Sequence, residues 1–257
     1  MDGRGEIVRH PKKQMQKTVV FGKHPVKELL RAGRRKVETI LYVHQNSQRL
    51  EDVLKLAKSK NIPIQSAGAK QLDQRSDGAN HQGILAVTRP PATHSLDSFI
   101  KLTKEKSASP VIVVLDSIQD PHNFGAILRS AETFGISSAI FPKNRSCDIN
   151  STVVKTSAGA SEYIDFHVAT NISNTLSRLK EEGFYVIAAE AEGDTPLAEF
   201  KPEFPLAVVL GSEEKGVRPL VKKQCDSVIR IPMRGRVASL NVSTAAAVIF
   251  YEISRSF

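Results

Sequence analysis

Side chains able to orient a hydroxyl, bind a phosphate or stabilise a developing negative charge gather in three short segments of this chain, each just after an apolar run. The first spans residues 116–135 and carries Asn123 and Arg129 among Ile127, Leu128, Ala131 and Phe134, which recur at helical spacing. Asn123 suits the N-cap of that helix, and Gly135 suits its termination. Those roles leave Arg129 over. Near a helix start, where anions are already favoured, a guanidinium suits a phosphate, although a helix arginine on its own is more often a solvated charge.

The second segment follows the apolar run 206–210 with Gly211, Ser212, Glu213, Glu214, Lys215 and Gly216. Glycines after a strand let the backbone approach a ligand closely, or simply make a turn. Their spacing matches neither the dinucleotide fingerprint nor the phosphate loop of nucleotide triphosphatases. The third segment, 231–247, contains Ile231, Met233, Ser239, Leu240, Asn241 and Ser243 ahead of three alanines. Ser239 is placed to cap the following helix, whose alanines permit close packing. Asn241 and Ser243 then fall in its first turns, where a buried polar pair would need partners.

The elements that must position these segments follow from hydrophobic patterning. Apolar runs at 111–115, 139–141, 186–189, 206–210 and 228–231 alternate with helical stretches. Continuous apolar strands of this kind predict a parallel sheet covered on both faces, with ligands bound beyond the carboxyl ends of its strands. Ahead of it, 19–87 reads as a smaller α/β unit. A helix over 25–32 carries Val26, Leu29 and Leu30 and stops at Gly33, and a strand covers 37–43. A second helix passes through Leu50, Val53, Leu54 and Ala57, residues 62–64 are extended, and a strand closes the unit at 83–87. Pro90 and Pro91 open a linker over 90–109, with one helical turn or more around 96–102. The chain thus divides into a basic arm (1–17), a front domain (18–89), this linker and a second α/β domain (110–257).

The 257 residues carry a net charge of +9, which favours polyanions through phosphate contacts and counterion release, though a merely basic enzyme has the same charge. Arg4, Arg9, Lys12, Lys13 and Lys17 crowd the arm, which has almost no apolar residues and is expected to be disordered when free. No apolar run approaches the ~20 residues that span a bilayer, and the first residues lack a signal peptide's apolar stretch, so a cytoplasmic protein is expected. Cys147 and Cys225 stand in no metal-ligand spacing, so neither a disulfide framework nor a metal site is expected.

In this order, the three segments resemble the three sequence motifs of the SpoU (TrmH-like) family of RNA ribose methyltransferases. Pro121, Asn123, Gly125, Arg129, Phe134 and Gly135 match the first; Gly211, Glu213 and Gly216 match the second; Ile231, Pro232, Met233, Gly235 and the run 239–243 match the third. The front unit is similar to the ribosomal-protein-like RNA-binding domain of the guanosine methyltransferase subgroup, through Phe21, Gly22, the helix to Gly33, and Asn80, His81, Gln82 and Gly83.

The resemblance implies a SPOUT-type catalytic domain whose C-terminal part forms a trefoil knot, and a homodimer. It implies S-adenosylmethionine held largely by backbone at Gly211, Ile231, Met233, Ser239 and Leu240. Asn123, Arg129, Glu213, Ser239 and Asn241 would surround the target hydroxyl. Arg129 makes a poor base because a guanidinium stays protonated; holding a phosphate and stabilising developing alkoxide charge suits it better. The implied substrate is structured RNA, a guanosine ribose of 23S rRNA, with a tRNA ribose methyltransferase or a non-catalytic RNA-binding or ribosome-assembly protein as alternatives.

Overall fold

In the computed structural model, which describes residues 17–237 and 239–257, the front unit runs β1 (Thr18–Phe21), α1 (Lys23–Ala32), β2 (Val37–Tyr42), α2 (Glu51–Ser59), β3 (Ile64–Ser66), α3 (Ala69–Arg75) and β4 (Ile84–Thr88). The basic arm lies outside the described residues except for Lys17, which pairs with Glu38 at 2.7 Å. The sheet order is β1-β4-β2-β3. Helix α1 buries Pro25, Val26, Leu29 and Leu30, and Gly33 ends it at φ 63° with its N–H on the Leu29 carbonyl. The extended stretch expected at 62–64 sits two residues later, because the Ile62 N–H still closes the end of α2 on the Ala57 carbonyl at 3.1 Å.

The second unit runs α4 (Leu96–Lys106), β5 (Val111–Asp116), α5 (Pro121–Thr133), β6 (Ser138–Pro142), α6 (Ser151–Thr156), β7 (Asp165–Ala169), α7 (Ile172–Glu181), β8 (Tyr185–Ala189), β9 (Thr195–Pro196), β10 (Leu206–Gly211), α8 (Pro219–Lys222), β11 (Ser227–Arg230) and α9 (Val242–Ser254). Its seven strands lie in the order β7-β6-β5-β10-β8-β11-β9. Every pairing among them is parallel, as the patterning predicts.

Alternation within the central strands decides which helix covers which face. Val113 and Leu115 face Phe124, Ile127 and Ile249 of α5 and α9. Ile112 and Val114 face Phe99 of α4 and Leu176 of α7. The helical turn expected around 96–102 is present within 90–109 and runs on to Lys106 as α4, which buries Phe99 and Ile100 against the sheet, its start capped by the Ser95 hydroxyl.

Candidate active site

Helix α5 starts one residue after Asp120, whose carboxylate accepts from the His122 N–H at 2.9 Å, with Pro121 in the first turn. Asp120 is thus the cap, and Asn123 is not. Its amide is free to act elsewhere. Gly125, on the same helix, lets α5 cross α6 closely, since a Cβ there would lie 2.8 Å from both the Thr156 Cβ and the Val153 carbonyl oxygen.

Strand β10 ends at Gly211, and the chain then folds back on itself. Ser212 and Gly216 exchange backbone bonds of 3.1 and 2.9 Å, with Gly216 at φ +62°. A Cβ on Gly211 would stand 2.0 Å from the Gly216 carbonyl carbon and 2.2 Å from the Val217 nitrogen. Gly211 is therefore required by the loop itself, before any ligand arrives. Two carboxylates strap this loop from beneath. Asp116, buried at the end of β5, accepts from the Arg218 N–H at 3.0 Å and from its Nε at 2.8 Å. Glu190, just past β8, accepts from the Val217 N–H at 3.1 Å and pairs with Lys222. Sequence reasoning assigned no role to Asp116, Glu190 or Arg218. The available signal was a carboxylate ending an apolar run, where a buried charge needs a partner.

Ser239 does not cap α9. Asn241 does, accepting from the Ser243 N–H at 2.9 Å and from the Ser243 hydroxyl at 2.6 Å. With its carbonyl so engaged, the Asn241 Nδ2 points the other way, donating to Asn123 Oδ1 at 3.1 Å and to Glu213 Oε1. Asn123 Nδ2 also donates to Glu213 Oε1, at 2.7 Å. One residue from each segment thus meets in a single hydrogen-bonded cluster, and two amides direct the Glu213 carboxylate.

Glu213 also lines a cavity of about 570 Å³ between the 211–216 loop, the 231–240 segment and the start of α9. Gly211, Ile231, Met233, Ser239 and Leu240, the residues matched as cofactor contacts, all line it. Asn123 and Asn241 stand beside it through Glu213. Arg129 is separate: it is exposed on α5, and its guanidinium makes no hydrogen bond or ion pair to any described residue. Burial raises the Cys147 thiol to about 11 and the Cys225 thiol to about 12, so neither is a ready nucleophile. Among the described residues, no group of three or more His, Cys, Asp or Glu is gathered as a metal site would require.

Comparison with known proteins places these features in a family. A model of the SpoU rRNA methylase family matches residues 110–251, and one described as RNA 2′-O ribose methyltransferase substrate binding matches residues 19–94. The chain belongs to the SpoU family. This SpoU chain is 38% identical over 241 residues to a protein of Staphylococcus haemolyticus assigned to the TrmH family of tRNA/rRNA methyltransferases, covering 94% of this chain and 96% of the other. A solved TrmH-family structure from Porphyromonas gingivalis, 26% identical, superposes with a TM-score of 0.76 over 94% of this chain and 91% of that one. The SpoU methyltransferase AviRb of Streptomyces viridochromogenes, solved in complex with AdoMet, shares the fold at 22% identity, with a TM-score of 0.77 over 93% and 90% of the two chains. The SpoU chain is accordingly an RNA methyltransferase.

Proposed function

We propose that this SpoU enzyme transfers a methyl group from S-adenosylmethionine to the 2′-hydroxyl of a guanosine ribose in 23S rRNA, in the cytoplasm. The observation that carries the reading is that the cavity and the Asn123–Glu213–Asn241 cluster share Glu213. The cavity fits the cofactor. Its volume of about 570 Å³ lies within the ordinary range for small-molecule sites, and Ile231, Leu240 and Ile249 give apolar walls for a flat base. Met233 and Leu240, 38% and 39% exposed, are apolar side chains that a ligand would cover. Glu213, which forms no ion pair with a described residue, would supply negative charge to a cationic sulfonium, whereas Glu190 is already paired with Lys222.

When bound, the cofactor supplies a methyl group on an already activated leaving group. What remains for the protein is to orient a weakly acidic hydroxyl and hold its proton. Glu213 Oε1 carries the two amide donors, while Oε2 accepts from no described residue and is the oxygen available to the ribose O–H. Asn123 and Asn241 keep that carboxylate aimed. Arg129 lies six residues beyond Asn123 on α5, about 9 Å along the helix axis, where its unengaged guanidinium can take a phosphate flanking the target.

A polar cleft of about 590 Å³ in the front unit, lined by Lys23, His24, Arg49 and Gln82, supports an RNA substrate. On the same reading the C-terminal segment is knotted, and two copies pair through the faces of α5 and α9. Val248 and Tyr251 of α9 are 40% and 55% exposed, an apolar pair that such a contact would cover. Light scattering that returns the mass of one chain would remove the dimer.

Incubating the pure protein with S-adenosylmethionine and separate transcripts of 23S rRNA and tRNA, then mapping ribose methylation, tests the activity. One methylated guanosine in the 23S transcript is expected. Methylation of tRNA alone would move the substrate assignment, and failure to bind the cofactor would favour a non-catalytic RNA-binding protein.

A further inference from the structure

The front unit and the catalytic unit share one apolar core. Val20, Leu29 and Ile40 belong to the same buried cluster as Val113, Phe124 and Val153, with β1 packed against α6. Charged groups are buried at the seam as well. The Arg35 and Glu162 side chains are 3% and 1% exposed. Arg35 Nε donates to Glu162 Oε2 at 2.7 Å, its Nη2 donates to Oε1, and its Nη1 donates to the Arg89 carbonyl at 3.3 Å.

Beside this pair, Arg34 binds Asp165, whose side chain is 2% exposed and which Lys106 also binds. Burial alone would raise the Asp165 carboxyl, but Lys106 and Arg34 outweigh it and hold it below the usual carboxylate range. Further contacts cross the same seam. The Tyr163 hydroxyl donates to Glu28 at 2.7 Å, and Lys155 Nζ donates to the Asn80 carbonyl at 2.8 Å. There is no slack here: a Cβ on Gly159 would lie 2.6 Å from the Glu28 Cβ.

Interfaces between domains of one chain ordinarily permit relative motion. A buried ion pair is a weak source of stability, yet it is satisfied in one relative orientation, and breaking it leaves a buried charge without its partner. Burying Arg35, Glu162 and Asp165 at this seam therefore disfavours every other arrangement of the two units. We propose that Arg35–Glu162, with Arg34–Asp165 beside it, are positioning pairs that lock the front unit at a fixed span from the methyl-transfer cavity, and that this span selects which ribose of an RNA held by the front unit is methylated. The proposal rests on the RNA-methylation reading above.

The test uses the full-length protein and its variants Glu162→Ala, the charge exchange R35E/E162R, and Arg34→Ala. Cofactor affinity, the positions methylated in the long rRNA, and kcat/KM on that RNA relative to a minimal stem-loop are measured for each. For Glu162→Ala, cofactor affinity within about twofold of wild type is expected, with the long-to-minimal ratio lowered roughly tenfold or more and methylation spread to neighbouring riboses. The charge exchange should recover part of both. A folded Glu162→Ala protein that methylates the one native position with an undiminished ratio overturns the proposal.

Should Glu162→Ala fail to fold, Arg34→Ala decides. Arg34 is partly exposed, and Lys106 stays on Asp165 when Arg34 is removed, so this milder loss should lower the ratio about threefold and blur the site. An unchanged ratio and site would overturn the proposal equally. The wild-type control separates the two readings: no methylation by wild type defeats the functional assignment, whereas methylation with unmoved variants defeats the positioning role alone.

Discussion

Gly211→Ala should yield a folded protein that holds S-adenosylmethionine weakly and methylates RNA far more slowly. The added Cβ would stand 2.0 Å from the Gly216 carbonyl carbon, so one of the two must move. Gly211 itself is fixed, being buried at the end of the central strand and registered with Asp116 of β5. The loop must therefore give way, and it is strapped by Ser212–Gly216, by Asp116–Arg218 and by Glu190 on the Val217 N–H. Overpacking of this kind typically costs about 1–3 kcal/mol, so a fall in Tm of roughly 2–12 °C is expected, not global unfolding. The cavity bears the damage, because residues 211–216 form one of its walls. Calorimetric titration should show weakened cofactor binding, and single-turnover assays a fall in rate of about a hundredfold, in keeping with the cost of misplacing a site by an ångström. Affinity equal to wild type would mean that the loop absorbs the methyl group and that its closed form is dispensable.

The central strands were legible in the sequence because β5 and β10 are buried along their whole length, so their apolar runs are uninterrupted. Strand β7 was not. It contains Asp165 and His167, and the partners that make a buried Asp165 tolerable, Lys106 and Arg34, are 59 and 131 residues away in sequence. The start of helix α4 was legible, but its continuation to Lys106 was not, since the polar stretch after Leu102 carries no apolar period. Helix α3 buries only Leu72, so its pattern carries almost no signal.

The helix caps show a finer limit. Asp120 and Asn123 are both credible caps for α5, as are Ser239 and Asn241 for α9, and spacing alone does not choose between them. The chosen pair, Asp120 and Asn241, determines the site. Capping by Asp120 releases Asn123, and capping by Asn241 through its carbonyl turns its amide toward Glu213. The motif residues lining the cavity were legible only through family resemblance. Glu190 and Arg218, which hold the loop in place, lie outside those motifs; Glu190 left only the trace of a carboxylate ending an apolar run, and Arg218 left none.

Asn123→Ala isolates the cluster from everything around it. Asn123 neither caps α5 nor lines the cavity, so helix stability and cofactor affinity should stay close to wild type. What is lost is the 2.7 Å bond to Glu213 and the acceptor for Asn241. The carboxylate, held then by one amide instead of two, can turn away from the hydroxyl it must orient. Removing one preorganised donor from a reacting group commonly costs about 10²–10³ in turnover, and a loss of that size in kcat is expected. Asn241→Ala should behave differently. It disturbs the same carboxylate and also removes the cap of α9, which adds roughly 1 kcal/mol of destabilisation. Arg129→Ala, in contrast, should raise KM for RNA more than Asn123→Ala does, because its guanidinium touches no part of the cluster. Single-turnover rates and melting curves for the three variants separate these effects. If Asn123→Ala turns over at the wild-type rate, Glu213 is not positioned by this cluster, and the assignment of the ribose hydroxyl to its free oxygen fails with it.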